Sequence, residues 1–307
     1  MNNLPTFEQT SYQSHQNWFD TLYPTDQEKL KLYTEHQQNP IIQWFHKSMY
    51  QTLKPFCNPN TQWLTIGDSY GTDATFLETQ NVQKVIASDI SDAFLKINHQ
   101  AGFIKHYQKI NAEQIELPSN SIDYVLCKEA YHHFPRPYIA VYEMLRVCQE
   151  AIVLIEPLDP LLKMPLLMAL CNVLDNINPK IVQKIWKNRY SFETVGNFVY
   201  KISERECCKL AAAINLPAVA FKGINCNFSG FNKHAVGKTI NPKQHQSIID
   251  KLKKGLSVRN FLTRLGIVPA EMLCVVIFKT LPDEQTIEKM KNAGFQYTSL
   301  PKNPYLK

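Results

Sequence analysis

Short apolar runs separated by polar turns dominate residues 59–157 and predict strands that alternate with helices. The runs lie at 63–66, 82–89, 107–110, 122–127 and 151–157. Each is short enough for a buried strand, and the stretches between them are long enough for helical crossovers. The pattern therefore predicts a mostly parallel sheet, with further strands near 218–224 and 272–280.

A glycine turn follows the first predicted strand. Gly67 and Gly71 permit backbone conformations and close approaches that a Cβ atom blocks. The turn leads into a helix whose first N–H groups are unpaired, which favours polar or anionic ligand atoms. Two glycines alone also fit an ordinary strand-to-helix turn.

The spacing of later polar residues favours a ligand site. Asp89 ends the second strand 22 residues after Gly67, near the position where nucleotide-binding folds place an acid that contacts ribose hydroxyls. Residues 111–113 follow the third strand, and Lys128 follows the fourth. Because ligands of open α/β sheets bind at the carboxyl ends of the strands, these residues predict a cofactor crevice.

Residues 111–137, NAEQIELPSNSIDYVLCKEAYHHFPRP, carry a family resemblance. They are similar to a stretch shared by quinone-biosynthesis methyltransferases and many bacterial small-molecule relatives, and 140–147 and 151–157 continue the match. Residues 63–157, about a third of the chain, thus resemble a class I S-adenosylmethionine-dependent methyltransferase. The resemblance implies a Rossmann-like α/β fold: a seven-stranded, mostly parallel sheet with helices on both faces. It also implies S-adenosylmethionine as cofactor and a small-molecule substrate.

The resemblance places the cofactor against residues of the first four strand ends. Thr65 stands where the family has an acid that contacts the amino group of the methionine moiety, and Ser69 replaces the middle glycine. Asp68 and Asp73 are candidates to take over that contact. The full set of predicted cofactor residues is Thr65, Gly67, Asp68, Ser69, Gly71, Asp73, Asp89, Ile90, Asn111, Ala112, Glu113 and Lys128.

Methyl transfer needs chiefly a nucleophile held in line with the methyl group, and needs a base only when the nucleophile loses a proton. The candidate catalytic residues are His132, His133 and Glu156, with a purely structural role as the alternative for the histidine pair. Lys128 and Glu129 also fit a simple ion pair.

Two other functional classes remain open. A non-catalytic scaffold that binds the cofactor weakly or not at all is supported by Thr65. A nicotinamide-dependent oxidoreductase is less favoured, because residues 67–71 lack the G-x-G-x-x-G pattern.

The domain organisation follows from the regions outside the strands. Residues 1–58 form a predicted helical extension, since apolar positions 41, 42, 45, 49 and 53 recur at helical spacing. That extension either packs on the sheet or covers the cofactor as a lid. Residues 59–307 form the methyltransferase-like domain, with helical insertions at about 158–196 and 226–268.

The two insertions suggest how a substrate is selected. The apolar segment 161–174 is too short to span a membrane and predicts a substrate-side cap, or else a membrane-surface or homodimer contact. The segment 238–264 carries seven basic residues against one acid, Asp250. It is either a solvated helix face or a basic rim that steers an anionic or glycosylated metabolite; interleaved aromatics typical of nucleic-acid grooves are missing.

Composition and the first residues indicate which partners, metals and compartment to expect. The formal charge of +6 is modest for 307 residues and does not by itself indicate a nucleic-acid partner. The eight cysteines are scattered without C-x-x-C pairs or zinc spacing, so no metal is expected and reduced thiols are predicted. The first residues lack a signal-peptide layout, which predicts a cytoplasmic protein.

Overall fold

The computed structural model describes residues 6–160, 163–185, 191–193, 196–234 and 240–305. Within them, one sheet has the strand order β3-β2-β1-β4-β5-β7-β6-β8. The strands are β1 Gln62–Ile66, β2 Lys84–Asp89, β3 Tyr107–Lys109, β4 Ile122–Lys128, β5 Cys148–Pro157, β6 Ala218–Ile224, β7 Met272–Phe278 and β8 Gln296–Ser299.

The prediction of a mostly parallel α/β sheet is confirmed, but the expected strand number is wrong. The first five strands pair in parallel, and β7 runs antiparallel to both β5 and β6. The eighth strand arises because residues 296–299 pair antiparallel with β6. Buried Phe295 and the hydrogen bond from Leu300 N–H to the Pro217 carbonyl hold this short, polar strand in place.

Helices cover both faces of the sheet. Along β5, Ile152 and Leu154 contribute to one apolar core, and Val153 and Ile155 contribute to the other, as expected for a strand buried on both faces. The helices are α1 Phe7–Leu22, α2 Asp26–Gln38, α3 Pro40–Tyr50, α4 Thr72–Thr79, α5 Ala93–Gln100, α6 Pro137–Val147, α7 Pro165–Ile177, α8 Pro179–Ile185, α9 Glu204–Ala213, α10 Phe228–His234, α11 His245–Arg264 and α12 Glu284–Asn292.

The N-terminal region is tied to the sheet by the predicted apolar stripe. Phe45 and Met49 of α3 are buried and belong to one of the two sheet cores. Asn39 accepts the N–H of Ile41 and caps the start of this helix. This part of the extension therefore packs on the sheet.

The first predicted insertion contains α7 and α8, and the second contains α10 and α11. Positions 161 and 162 of the apolar segment and positions 238 and 239 of the basic segment lie outside the described residues. Leu166, Val173 and Ile177 of α7 are exposed, whereas α11 packs on α3 through Ile249 and Leu252. None of the described helices is long and apolar enough to cross a membrane.

Gly67 lies where the loop after β1 packs closely against the loop after β4. Its φ of +72° lies in the left-handed region, and a Cβ at this position would lie 2.3 Å from the Cβ of Ala130. We predict that Gly67→Ala costs roughly 2–5 kcal/mol, because left-handed strain and overpacking add. Gly102→Ala is the matched control: its φ is +77° but nothing lies within 4 Å of the added Cβ. Equal losses in urea unfolding for the two variants would contradict this account.

Candidate functional site

A cavity of about 190 Å³ lies where β1 and β2 end and the loops after β3 and β4 begin. It lies at the carboxyl edge of the parallel strands, where ligands of such sheets bind. Its lining consists of Tyr12, His15, Ile66, Gly67, Ser69, Asp89, Ile90, Ile110, Asn111, Ala112, Glu113, Glu129, Ala130, His133, Phe134 and Pro135.

The predicted site residues divide into those that line this cavity and those that lie behind it. The lining includes Gly67, Ser69, Asp89, Ile90, Asn111, Ala112, Glu113 and His133. The structure does not bring Thr65, Gly71, Asp68, Asp73, Lys128, His132 or Glu156 to the cavity wall.

Asp68 caps the helix that follows the glycine turn. Its carboxylate accepts the N–H groups of Asp73 and Ala74, at 3.1 and 2.9 Å, and the hydroxyl of Thr65 at 3.0 Å. Burial and the neighbouring Asp73 raise the pKa of Asp68 to about 7. Thr65 and Asp68 therefore shape the turn from behind, and Asp68 is not placed to receive a ligand ammonium group.

Asp73 and Lys128 form a buried ionic cluster beside the cavity. The Lys128 ammonium lies 3.3 Å from Asp73 Oδ1 and 3.2 Å from Glu129 Oε2, and Tyr50 donates its hydroxyl to Asp73. Burial alone would lower the pKa of Lys128, but the surrounding acids raise it well above its ordinary value. The cluster thus keeps Lys128 charged, and the Asp73 carboxylate is engaged by Lys128 and Tyr50.

Glu129 brings negative charge to the cavity wall. It has a φ of +52°, and its N–H donates to the Ile155 carbonyl of the neighbouring strand. Although burial alone would raise it, the pKa of Glu129 is lowered because Lys128 and His46 favour the carboxylate. A non-glycine residue held in the left-handed region is the kind of strain found at functional sites.

Asp89 ends β2 at the cavity. Its Oδ1 accepts the N–H of Ser91 at 2.9 Å, which fixes the side chain. Burial raises the pKa of Asp89 to about 6. The carboxylate is therefore oriented, and it is ionised at neutral pH.

The helix α1 covers the cavity through a network centred on Glu113. This carboxylate accepts the Tyr12 hydroxyl at 2.6 Å and both the backbone N–H and the Nε–H of Arg136, at 2.8 and 2.6 Å. Glu8 of α1 lies 3.6 Å from the Arg136 guanidinium. These contacts join residues that are more than 100 positions apart in the sequence, and they place Tyr12 and His15 on the cavity wall.

Glu156 and His132 support the loop after β4. The fully buried Glu156 accepts the N–H groups of Ala130 and Tyr131 through one oxygen, and its other oxygen lies 2.6 Å from His132 Nδ1. Burial alone would lower the pKa of His132, but Glu156 raises it overall. Both residues act on the cavity through the loop that they position.

His133 is the predicted catalytic residue that reaches the cavity. Its Nδ1 lies 2.7 Å from Glu193 Oε2, and its ring centre lies 5.6 Å from that of His15. Glu193, His15 and Tyr12 belong to segments with no motif, so nothing in the sequence pattern singles them out. Glu129, which was expected beside the cofactor pocket as a partner of Lys128, lines the cavity.

Comparisons with known proteins agree with this geometry. Residues 64–155, which run from β1 to β5, match the family described as "Methyltransferase domain". The chain therefore contains a class I S-adenosylmethionine-dependent methyltransferase domain, as the resemblance predicts, and S-adenosylmethionine is the cofactor of that class. No curated protein sequence matches the chain significantly.

Solved structures share the fold at low sequence identity. One is a Burkholderia thailandensis 1,6-didemethyltoxoflavin N1-methyltransferase with bound 1,6-didemethyltoxoflavin and S-adenosylhomocysteine: TM-score 0.51, 10% identity, 92% of this chain and 94% of that chain covered. Another is a methyltransferase from Haloferax volcanii in complex with a methyltransferase activator: TM-score 0.50, 10% identity, 88% of this chain and 99% of that chain covered. These likenesses show the fold of the chain.

The ionisation of Asp89 gives a testable pH dependence. If its carboxylate accepts ribose hydroxyls, the bound form favours the ionised acid, so affinity rises with pH until Asp89 is ionised. With a pKa of about 6, we predict about tenfold weaker S-adenosylhomocysteine binding at pH 5 than at pH 7, measured by isothermal titration calorimetry.

Two variants isolate the Asp89 carboxylate. Asp89→Asn should weaken binding by roughly 1.5–3 kcal/mol at pH 7 and abolish most of the pH dependence. Asp92→Asn, three residues along the chain, should behave like the unmodified protein. A large loss of thermal stability in Asp89→Asn with unchanged affinity would show that Asp89 is structural.

Proposed function

We propose that this protein is an S-adenosylmethionine-dependent methyltransferase (EC 2.1.1.-) that acts on a small molecule. The observation that carries the proposal is the cavity at the carboxyl ends of β1 and β2, in which Gly67, Asp89 and Asn111 meet at the spacings expected of a cofactor site. The family match over residues 64–155 supports the same reaction class.

The cavity residues fit the parts of this cofactor. Asp89 would accept the ribose hydroxyls, while Ile90 and Ala112 offer apolar surface to the adenine ring. Glu129 would attract the positive methionine end, in place of the acid missing at Thr65. When bound, S-adenosylmethionine supplies a methyl group that its sulfonium activates toward displacement.

The enclosure of the cavity favours a small substrate. Tyr12 and His15 of α1 line one wall, and Phe134 and Pro135 form part of another. We infer that α1 is a lid that excludes water and bulky polymers once substrate is bound. The Burkholderia neighbour, which binds a small heterocycle, is consistent with this choice.

His133 is the side chain that we propose to contact the substrate. It is half-buried on the cavity wall, and Glu193 fixes the orientation of its ring. Glu156 and His132 are positioning residues, since they hold the loop from behind. Catalysis then rests on alignment of the nucleophile, with His133 at its side.

Among small molecules, we propose that the substrate is anionic or glycosylated. Lys253 of α11 lines a second cleft of about 660 Å³, together with Lys47 and Lys54. His46 also lines that cleft, and its Nδ1 lies 3.6 Å from Glu129 Oε2 on the wall of the first cavity. Basic side chains next to the site would raise the rate at which an anionic substrate encounters it.

A non-catalytic, cofactor-binding scaffold is the second candidate. Thr65 replaces the usual acid, and both neighbouring aspartates, Asp68 and Asp73, are used in internal contacts. This candidate shares the cofactor site and differs only in turnover, so binding alone does not separate the two.

The decisive experiment measures binding and transfer in the same preparation. We expect micromolar S-adenosylhomocysteine binding and transfer of label from methyl-labelled S-adenosylmethionine into a small-molecule fraction of a lysate, retained on an anion-exchange column. His133→Ala should keep cofactor binding and lose at least about a hundredfold in transfer, while exposed His106→Ala should lose nothing. Binding without transfer into any fraction would favour the scaffold, and nicotinamide binding instead would refute the proposal.

A further inference from the structure

A cluster of imidazoles and carboxylates lies at the edge of the cavity. One ligand atom from each of His132, His133 and Glu193 lies within 4.8 Å of the other two, which makes this the group among the described residues that could hold a metal ion. We propose that these three side chains bind one divalent transition-metal cation. Two imidazoles and one carboxylate form a donor set that suits zinc or ferrous iron and leaves positions open for substrate.

His132 is already oriented as a metal ligand. Its Nδ1 lies 2.6 Å from buried Glu156, and its Nε2 lies 3.9 Å from Glu193 Oε1. Histidine ligands commonly donate their second ring N–H to a carboxylate, which fixes the tautomer and increases their basicity. Ligand bonds to zinc are about 2.0–2.2 Å long, so a single ion can bridge the two atoms.

The pair of His133 and Glu193 supplies the other two ligands. Their 2.7 Å contact between Nδ1 and Oε2 is a hydrogen bond that metal binding replaces. The proton on Nδ1 of His133 is then released and the neutral ring carries its single proton on Nε2, so that Nδ1 and the carboxylate oxygen both bind the cation. Asn197 donates to the backbone carbonyl of His132 at 3.3 Å and so holds the backbone next to this pair.

His15 of α1 lies beside this three-residue cluster. Its Nδ1 lies 2.9 Å from the Ser11 carbonyl, and its Nε2 is buried without a hydrogen-bond partner. The ring lies next to that of His133, with 5.6 Å between centres. A buried imidazole nitrogen without a partner calls for an explanation, and a ligand held at this edge of the cavity supplies one.

The cation would change how the substrate is activated. A metal next to His133 would bind a substrate oxygen and lower the pKa of its hydroxyl, so that the proton leaves to solvent without a side-chain base. This consequence rests on the proposed function, and it selects a substrate with a hydroxyl group beside a second oxygen. Cation binding itself does not depend on methyl transfer.

The test uses the full chain, stripped of metal with a chelator and dialysed. Zn²⁺ is titrated by calorimetry, and Co²⁺ is added separately to record its visible absorption bands. We expect one Zn²⁺ per chain with micromolar or tighter affinity, and intense Co²⁺ bands that report nitrogen and oxygen ligands. The double variant His133→Ala/Glu193→Ala should bind Zn²⁺ at least about a hundredfold more weakly and lose the bands.

The matched control is His106→Ala/Glu116→Ala, which removes an exposed histidine and an exposed glutamate away from the cavity. Circular dichroism checks folding, and His133→Asn/Glu193→Gln replaces the first double variant if that one unfolds. Equal Zn²⁺ affinity in the unmodified protein and the ligand variant, or no binding at millimolar Zn²⁺, overturns the proposal. S-adenosylhomocysteine binding, measured in the same samples, tests the proposed function separately.

Discussion

The buried carboxylate of Glu156 is the constraint on which the site depends. It has no solvent exposure, and it accepts two backbone N–H groups of the loop after β4 as well as facing the Nδ1 of His132. A buried carboxylate is stable only when such partners replace water. Because the same loop presses Ala130 against Gly67, this one side chain sets the distance between the glycine turn and the histidine pair.

A second ionic centre lies beside the cavity. Lys128 lies between Asp73 and Glu129, and Glu129 reaches the cavity from this cluster. Meanwhile Glu113 joins α1 to the chain at Arg136. Glu113 and Glu129 thus line the cavity while Glu156 supports it from behind, each carboxylate is held by a different set of donors, and the N-terminal helix depends on Glu113.

The sequence was sufficient for most of the sheet and for several residues that line the cavity next to its strands. Asp89 and Asn111 could be selected because strand ends and their spacing are local properties. The eighth strand was missed because residues 296–299 are polar and gain their pairing only from β6. Thr65 and Asp68 lie behind the turn rather than on the cavity wall. Tyr12 reaches the wall and Glu193 reaches His133 through long-range contacts, which spacing along the chain does not reveal.

The most direct test of the central claim is a crystal structure of the protein with S-adenosylhomocysteine. The account predicts that the ribose hydroxyls contact Asp89, that the amino group lies near Glu129, and that α1 remains over the ligand with Tyr12 on Glu113. A ligand bound instead in the cleft beside Lys253, or one that leaves Asp89 without a contact, would contradict it.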